Sequence, residues 1–232
     1  MVQTDPSPDR TLNGQTLTRT DIERLAAGPG PARLADCDLD GVDCSHLVLS
    51  GWVFERCQFR RTDFTATKLE GSRWQSCRAP FANFSRCDLA EATITACDFN
   101  NGNFRYAVLS SALFAQSKLT GADFTDAKTF DLRFEETLLV NARLAGLSFR
   151  RQRLVKVDFA QADVRKCDFR ETVFDDCSLR DALVAGARFE AADLRGADLG
   201  GFQLADATLF RGATISAGQA GQLLRELGLN VR

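Results

Sequence analysis

From Leu34 to Leu209 an apolar residue returns at every fifth position, with no residue inserted or lost between repeats. The column opens Leu34, Leu39, Cys44, Leu49, Phe54, Phe59, Phe64, Leu69, Trp74, and only Cys44, Ala79 and Thr129 in it are not Leu, Phe, Val, Ile or Trp. Most of the chain's 18 Phe residues stand in this column. The residue two places earlier is nearly always small, as at Ala32, Cys37, Thr62, Ser72, Ala82, Cys87, Ala92, Gly102, Ala122 and Ala197. A period of five fits neither the 3.6 of a helix nor the 2 of a strand. Repetition at a fixed short period predicts a solenoid in which each unit buries its apolar face against its neighbours.

The flanks read differently. Thr20-Asp21-Ile22-Glu23 has the form of a capping box and opens a short helix that Gly28-Pro29 stops. Ile22, Leu25 and Ala26 on that helix are expected to cover the first coil. Ser216 to Gln219 forms a second capping box, predicting a helix through about Leu227 that ends at Gly228. Residues 1–17, rich in Pro, Thr and Asp, are expected to be mobile. The expected organisation is therefore a mobile segment 1–17, an N-terminal cap 18–31, the repeats 32–213 and a C-terminal helix 214–232.

The repeat small-polar-(Leu/Phe)-polar-polar appears as Ala122-Asp123-Phe124-Thr125-Asp126, Ala162-Asp163-Val164-Arg165-Lys166, Ala192-Asp193-Leu194-Arg195-Gly196 and Ala197-Asp198-Leu199-Gly200-Gly201. It resembles the pentapeptide repeat family. That resemblance implies an all-β solenoid, a right-handed quadrilateral β-helix with one repeat per side, about 20 residues per coil and short capping helices at both ends. At the roughly 4.8 Å spacing of neighbouring strands, about nine coils make a rod about 43 Å long. Small residues are needed where two inward side chains share a narrow interior that must reach crystal-like density.

Composition narrows the chemistry. The eight Cys residues raise the question of disulfides or metal. Cys37, Cys57, Cys77, Cys97 and Cys177 are separated by multiples of a coil and stack on one edge, within nominal disulfide range. Parallel inward side chains present the wrong mutual orientation, there is no CxxC pair, and His46 is the only histidine. The cysteines are expected to be small core hydrophobes, with no metal; a redox or metal role is the competing reading. No glycine-rich phosphate loop or nucleophile–base pairing appears, and a filled interior offers no cleft, so no catalytic residue, cofactor or enzymatic activity is expected. No apolar stretch has transmembrane length and no signal-peptide core is present, which predicts no membrane partner and a cytoplasmic protein. No dense Lys/Arg stripe with interleaved aromatics is seen, so direct nucleic-acid binding is not expected.

Writing the coils as columns of residues 20 apart places Asp38, Asp98, Asp158 and Asp198 on the second side and Asp43, Asp63, Asp123 and Asp163 on the third. The first side carries Arg33, Arg73, Arg133 and Arg153, with Arg150, Arg151 and Arg170 across a corner, so a two-sided charge distribution is expected despite a net charge of −2. Two readings of the carboxylates compete. Short polar side chains bond the local backbone, or regularly spaced carboxylates imitate a nucleic-acid backbone and attract a basic groove. Phe130, Leu138 and Val140 point outward and form a possible apolar partner patch. Nearby, Thr129 breaks the column and Leu132, Leu147, Gln152 and Val157 occupy small positions, so the interior is expected to distort and the Thr129 hydroxyl to need a partner. Leu223, Leu224, Leu227 and Leu229 form a C-terminal stripe that serves as a cap alone or as cap and homodimer contact.

Within the family, the chain resembles the topoisomerase-protecting members of the MfpA, Qnr and AlbG type. Those relatives are dimers that mimic DNA and protect DNA gyrase or topoisomerase IV from poisons. The resemblance implies a gyrase-binding resistance or self-immunity protein that uses the acidic sides. The unbroken register leaves out the projecting loops of Qnr proteins and is closer to MfpA. The alternative is a protein–protein interaction scaffold with no topoisomerase role, docking through the Phe130 region and the basic side.

Overall fold

A computed structural model describes residues 10–202, 204–226 and 228–231. It shows a parallel β-solenoid of about nine coils with a helix near each end, as the five-residue period predicts. The chain divides into two compact units, 1–133 and 134–232.

In unit 1 the first sides of successive coils are three-residue strands: β1 (Thr11–Asn13), β2 (Arg33–Ala35), β3 (Val53–Glu55), β4 (Arg73–Gln75), β5 (Thr93–Thr95) and β6 (Leu113–Ala115). They pair in parallel and in chain order, with Leu34 opposite Phe54, Phe54 opposite Trp74 and Trp74 opposite Ile94. Single bridges complete the other three sides, through Asp38–Gln58–Arg78–Asp98, Asp43–Asp63–Asn83–Asn103–Asp123 and Val48–Lys68–Asp88–Val108. Parallel strands cannot be joined by tight hairpins, but a four-sided coil returns each side above itself without a crossover helix.

The central column is buried almost without exception, from Leu34 and Leu39 to Phe114 and Phe124. Phe64, Phe84, Phe104 and Phe124 stack face to face at 5.0, 5.0 and 4.9 Å, one ring per coil. Phe99 and Phe114 meet these stacks edge-on, which suits the ring quadrupole. The small column is as tight as the sequence requires: a Cβ added to Gly102 would lie 2.9 Å from the Phe104 ring and 3.0 Å from the Phe99 carbonyl. Thr129 is half-buried instead of buried, the expected disturbance of the column, with exposed Phe130 beside it.

The N-terminal segment departs from the expectation of mobility up to residue 17. Strand β1 pairs with β2, and Thr16 bridges Asp38, so residues 11–16 supply two sides of a partial coil beneath the first repeat. Leu17, nearly fully buried, anchors it. Residues 1–9 lie outside the described residues. The cap of helix α1 (Arg19–Ala26) also differs: its N-cap is Thr18, whose side chain bonds Asp21 while Asp21 bonds back, two residues before the box read from Thr20. Asp stands at the third helical position in place of the usual Glu, so the true box departs from the Ser/Thr-x-x-Glu pattern that Thr20 to Glu23 satisfies. Ile22 is buried as expected, and Leu25 and Ala26 are half-buried.

Unit 2 follows the same plan with β7 (Arg133–Glu135, beginning at the last residue of unit 1), β8 (Arg153–Val155) and β9 (Val173–Asp175) on its first side. A second short pair, β10 (Cys177–Ser178) and β11 (Ala197–Asp198), lies on its second side. Its aromatic stack, Phe149–Phe169–Phe189, occupies the fourth side at 5.0 Å spacing. Leu132 in unit 1, and Leu147 and Val157 in unit 2, stand at small positions yet are buried.

The last repeats break register. Leu204–Phe210 is a 3₁₀ helix, and the pairing shifts by one residue, with Asp193 bridging Thr214. Phe210 takes the place that the period assigns to Leu209, stacking 4.5 Å from Phe189. The cause is legible: Phe202 occupies a small position and packs 5.1 Å from Phe210, leaving no room for the ordinary side. Helix α2 (Ala217–Glu226) follows, opened by the Ser216–Gln219 box as predicted and followed by Gly228 at φ 81°.

Candidate interaction surfaces

The carboxylates offered as a binding surface are first of all turn formers. In all eight, Asp38, Asp43, Asp63, Asp98, Asp123, Asp158, Asp163 and Asp198, Oδ1 accepts the backbone N–H two residues on, at 2.8 to 3.2 Å. A short acceptor at that position closes an Asx turn, and Asn83 and Asn103 do the same work without charge. Only Asp38 and Asp43 are exposed; the other six are half-buried against the coil.

Arginines then neutralise half of them. In unit 1, Asp43 pairs with Arg19 at 2.9 Å and Asp123 with Arg105 at 3.4 Å. In unit 2, Asp163 pairs with Arg165 at 2.6 Å and Asp198 with Arg180 at 2.8 Å. The Arg165 guanidinium holds the Asp163 carboxyl below its ordinary range. Asp38, Asp63, Asp98 and Asp158 make no ion pair among the described residues. Asp63 also accepts from the Thr65 hydroxyl and the Asn83 amide.

Much of the arginine-rich side is compensated in the same way, although Arg133 makes no ion pair among the described residues. Arg33 meets Glu55 at 2.6 Å and Arg153 meets Asp175 at 2.6 Å. Arg150 and Arg151 share Glu171, whose carboxyl they pull down to about 2, and Arg170 meets Asp168. Both units therefore carry mixed charge on these sides instead of the simple acidic and basic division expected from the columns. The acidic partners were invisible in columns of every twentieth residue because they lie one coil and two residues on, as at Glu55 and Asp175.

Of the apolar candidates, Phe130 in unit 1 is the most exposed large side chain, at 81%. In unit 2, Leu138 is exposed on a second side and Val140 is half-buried. At the C-terminus Leu224 and Leu229 are exposed and Leu223 is half-buried; Leu227 lies outside the described residues. Five further exposed apolar side chains lie outside the candidate patches: Val48, Phe81, Tyr106, Leu183 and Ile215. Phe81 and Tyr106 carried a signal. They stand two places after a central residue, where the chain turns a corner and side chains face outward.

The eight cysteines are all free and buried. Several donate to carbonyls of the coil beneath, as Cys87 does to Phe64 at 2.6 Å and Cys167 to Leu144 at 3.1 Å. Thr62, Thr67 and Thr172 use the same bond, so thiol and hydroxyl are interchangeable there. Burial pushes the Cys44 and Cys167 thiols up to about 12.

These features define a class: a repeat solenoid with a filled core, whose distinguishing chemistry lies on its outer sides and corners. The sequence matches the model for pentapeptide repeats over residues 37–73, 94–128, 133–171 and 172–209, in eight copies, and the chain belongs to the pentapeptide repeat family. No protein of curated function matches it. Among solved structures it is similar to QnrB1, a plasmid-mediated fluoroquinolone resistance protein, at 18% identity and TM-score 0.63, over 94% of this chain and 97% of that one. It also matches HetL, a pentapeptide repeat protein involved in heterocyst differentiation regulation from the cyanobacterium Nostoc sp. strain PCC 7120, at 19% identity and TM-score 0.38, over 81% and 86%. A pentapeptide repeat protein of the Arabidopsis thaliana thylakoid lumen matches at 23% identity and TM-score 0.26, over 49% and 68%. Among the described residues, no helix is long and apolar enough to cross a membrane.

Proposed function

We propose that this chain is a non-enzymatic, cytoplasmic protein that acts by binding a type II topoisomerase, DNA gyrase or topoisomerase IV, and gives resistance or self-immunity to gyrase poisons. The observation that carries the reading is the likeness in fold to a fluoroquinolone resistance protein over nearly the whole of both chains. The exposed side chains of Leu224 and Leu229 support a homodimer through the C-terminal segment, to which Leu223 and Leu227 also contribute. Asp38, Asp63, Asp98 and Asp158 are the carboxylates left to present charge to a basic groove; Asp43, Asp123, Asp163 and Asp198 contribute shape and hydrogen bonding. Phe130 in one unit, and Leu138 with Val140 in the other, are additional apolar contacts.

A supercoiling assay with purified gyrase and ciprofloxacin tests the reading. Protein at micromolar concentration should restore supercoiling or, without drug, inhibit it. No effect in either direction would sink the proposal.

One observation favours a second reading, an interaction scaffold with no topoisomerase role. Every candidate carboxylate is committed to its own turn and half of them to an arginine, which weakens any resemblance to a phosphate backbone.

A further inference from the structure

We propose that the arginines gathered around Phe81 and Tyr106 in unit 1 form a docking surface for an acidic segment of a partner protein. This deepens the protein-binding reading above by naming the partner's chemistry, and it does not require that partner to be a topoisomerase.

Three other arginines in the coils of unit 1 are matched with carboxylates: Arg33 with Glu55, Arg56 with Asp36, Arg105 with Asp123. Arg60, Arg61, Arg78 and Arg86 are exposed and make no ion pair among the described residues. They are also neighbours. Arg60 and Arg61 lie one coil before Pro80 and Phe81, and the Arg61 N–H donates to the Pro80 carbonyl at 3.1 Å. Arg78 leads into the same corner. One side further on, Arg86 lies one coil before Tyr106, its guanidinium carbon 5.8 Å from the ring centroid.

Backbone geometry makes these residues project. Arg61, Phe81, Arg86 and Tyr106 all stand at corners with φ between 57° and 61°, and Phe81 and Tyr106 remain 52% and 46% exposed. Between the two corners the third side carries Asn83 and Asn103, whose amide donates to Asn83 at 2.8 Å. Aromatic and arginine side chains raised at both edges of a polar floor are the residue types that dominate protein–protein hot spots.

Guanidinium forks bind carboxylates bidentately and carry no acceptor, so four unpaired ones beside exposed rings call for an acidic ligand. A protein segment fits better than nucleic acid. Asp40, Asp63 and Asp98 border the same cations, and Asp40 already accepts the Arg60 N–H at 2.7 Å. A continuous phosphate chain would run onto these carboxylates, whereas a peptide with a few acidic side chains need not.

The test is fluorescence anisotropy with the full chain and two labelled probes, a peptide of repeated Glu-Glu-Phe and an oligothymidylate of equal charge. The peptide should bind saturably, and R61E combined with R78E should weaken it about tenfold or more, with K156E in unit 2 leaving it unchanged. Glu91 already occupies the Arg61 type of corner and Asp98 the Arg78 column, so the double variant retains the fold. F81A, a neutral change, should also weaken binding. Absence of peptide binding, equal binding by R61E/R78E, or tighter binding of oligothymidylate would each overturn the proposal. Because neither probe involves gyrase, failure here leaves the topoisomerase reading standing.

Discussion

At the corners of the coil, two residues after nearly every central side chain, the backbone turns left-handed. Asp36, His46, Arg56, Arg61 and Ala66 begin a series with φ between 52° and 61° that continues through unit 2 to Ala191. A β-branched side chain at such a φ is penalised most, and no Val, Ile or Thr stands at any of these positions from Asp36 to Gly201. The pattern was present in the sequence beside the apolar column but is an absence, which hydropathy does not register. Ala66→Val should therefore cost about 1–2 kcal/mol, while Ala66→Gly should be close to neutral, in urea unfolding. Inside the coil, Phe104→Ala should cost about 3–5 kcal/mol, because the ring is stacked between Phe84 and Phe124 and no neighbour can fill the gap. The cysteines give a further check. Their number and spacing suggested pairing, yet inward packing predicts that none reacts with a thiol reagent until the chain unfolds. Cys44 and Cys167, raised to about 12 by burial, contribute stability that is full below an ordinary thiol value of 9.0 and lost as pH climbs towards 12. Glu171, drawn to about 2 by Arg151 and Arg150, and Asp193, drawn to about 2 by Arg195, contribute stability present above the ordinary carboxylate range and lost as pH falls towards 2. The urea midpoint measured against pH should fall at both extremes.

The coils read directly from the sequence because each side repeats the same few requirements; the ends did not, because they must solve a different problem. A terminal coil exposes a row of backbone groups with no further coil to pair them. At the N-terminal end Arg19 of α1 donates to the carbonyls of Asp43 and Ser45, at 3.1 and 3.3 Å. At the C-terminal end the Gln219 amide donates to the carbonyls of Leu194 and Ala197, both at 2.6 Å. Each helix thus covers its edge with one long donor side chain, and neither was legible without knowing which carbonyls lay open. From the sequence Gln219 reads as half of a capping box, and in the structure it serves both roles. Gln219→Ala should cost about 1 kcal/mol and raise amide exchange in the last coil, with the first coil unaffected. The slip at the 3₁₀ helix is the one place where an unbroken sequence register hides a broken structural one. Phe202 at a small position was the available warning.

For the molecule as a whole, the family and fold were legible, and the charge distribution was not. Columns of every twentieth residue group side chains along a side, but the ion pairs reach diagonally to the next coil, as Arg153 does to Asp175. Among the candidate carboxylates and the exposed aromatic corners, unpaired charge stays on Asp38, Asp98 and Asp158 of second sides, on Asp63 of a third side, and on the arginines around Phe81. The exposed C-terminal leucines predict association, so Leu224→Asp with Leu229→Asp should convert a dimer to a monomer in sedimentation, whereas an unchanged mass would remove the dimer from the account. The central claim, that a type II topoisomerase is the partner, is tested most directly by immobilising the protein and passing purified gyrase over it, with and without duplex DNA. Saturable binding that DNA displaces is expected; gyrase that does not bind, or that binds equally with DNA present, would rule the topoisomerase out as the partner.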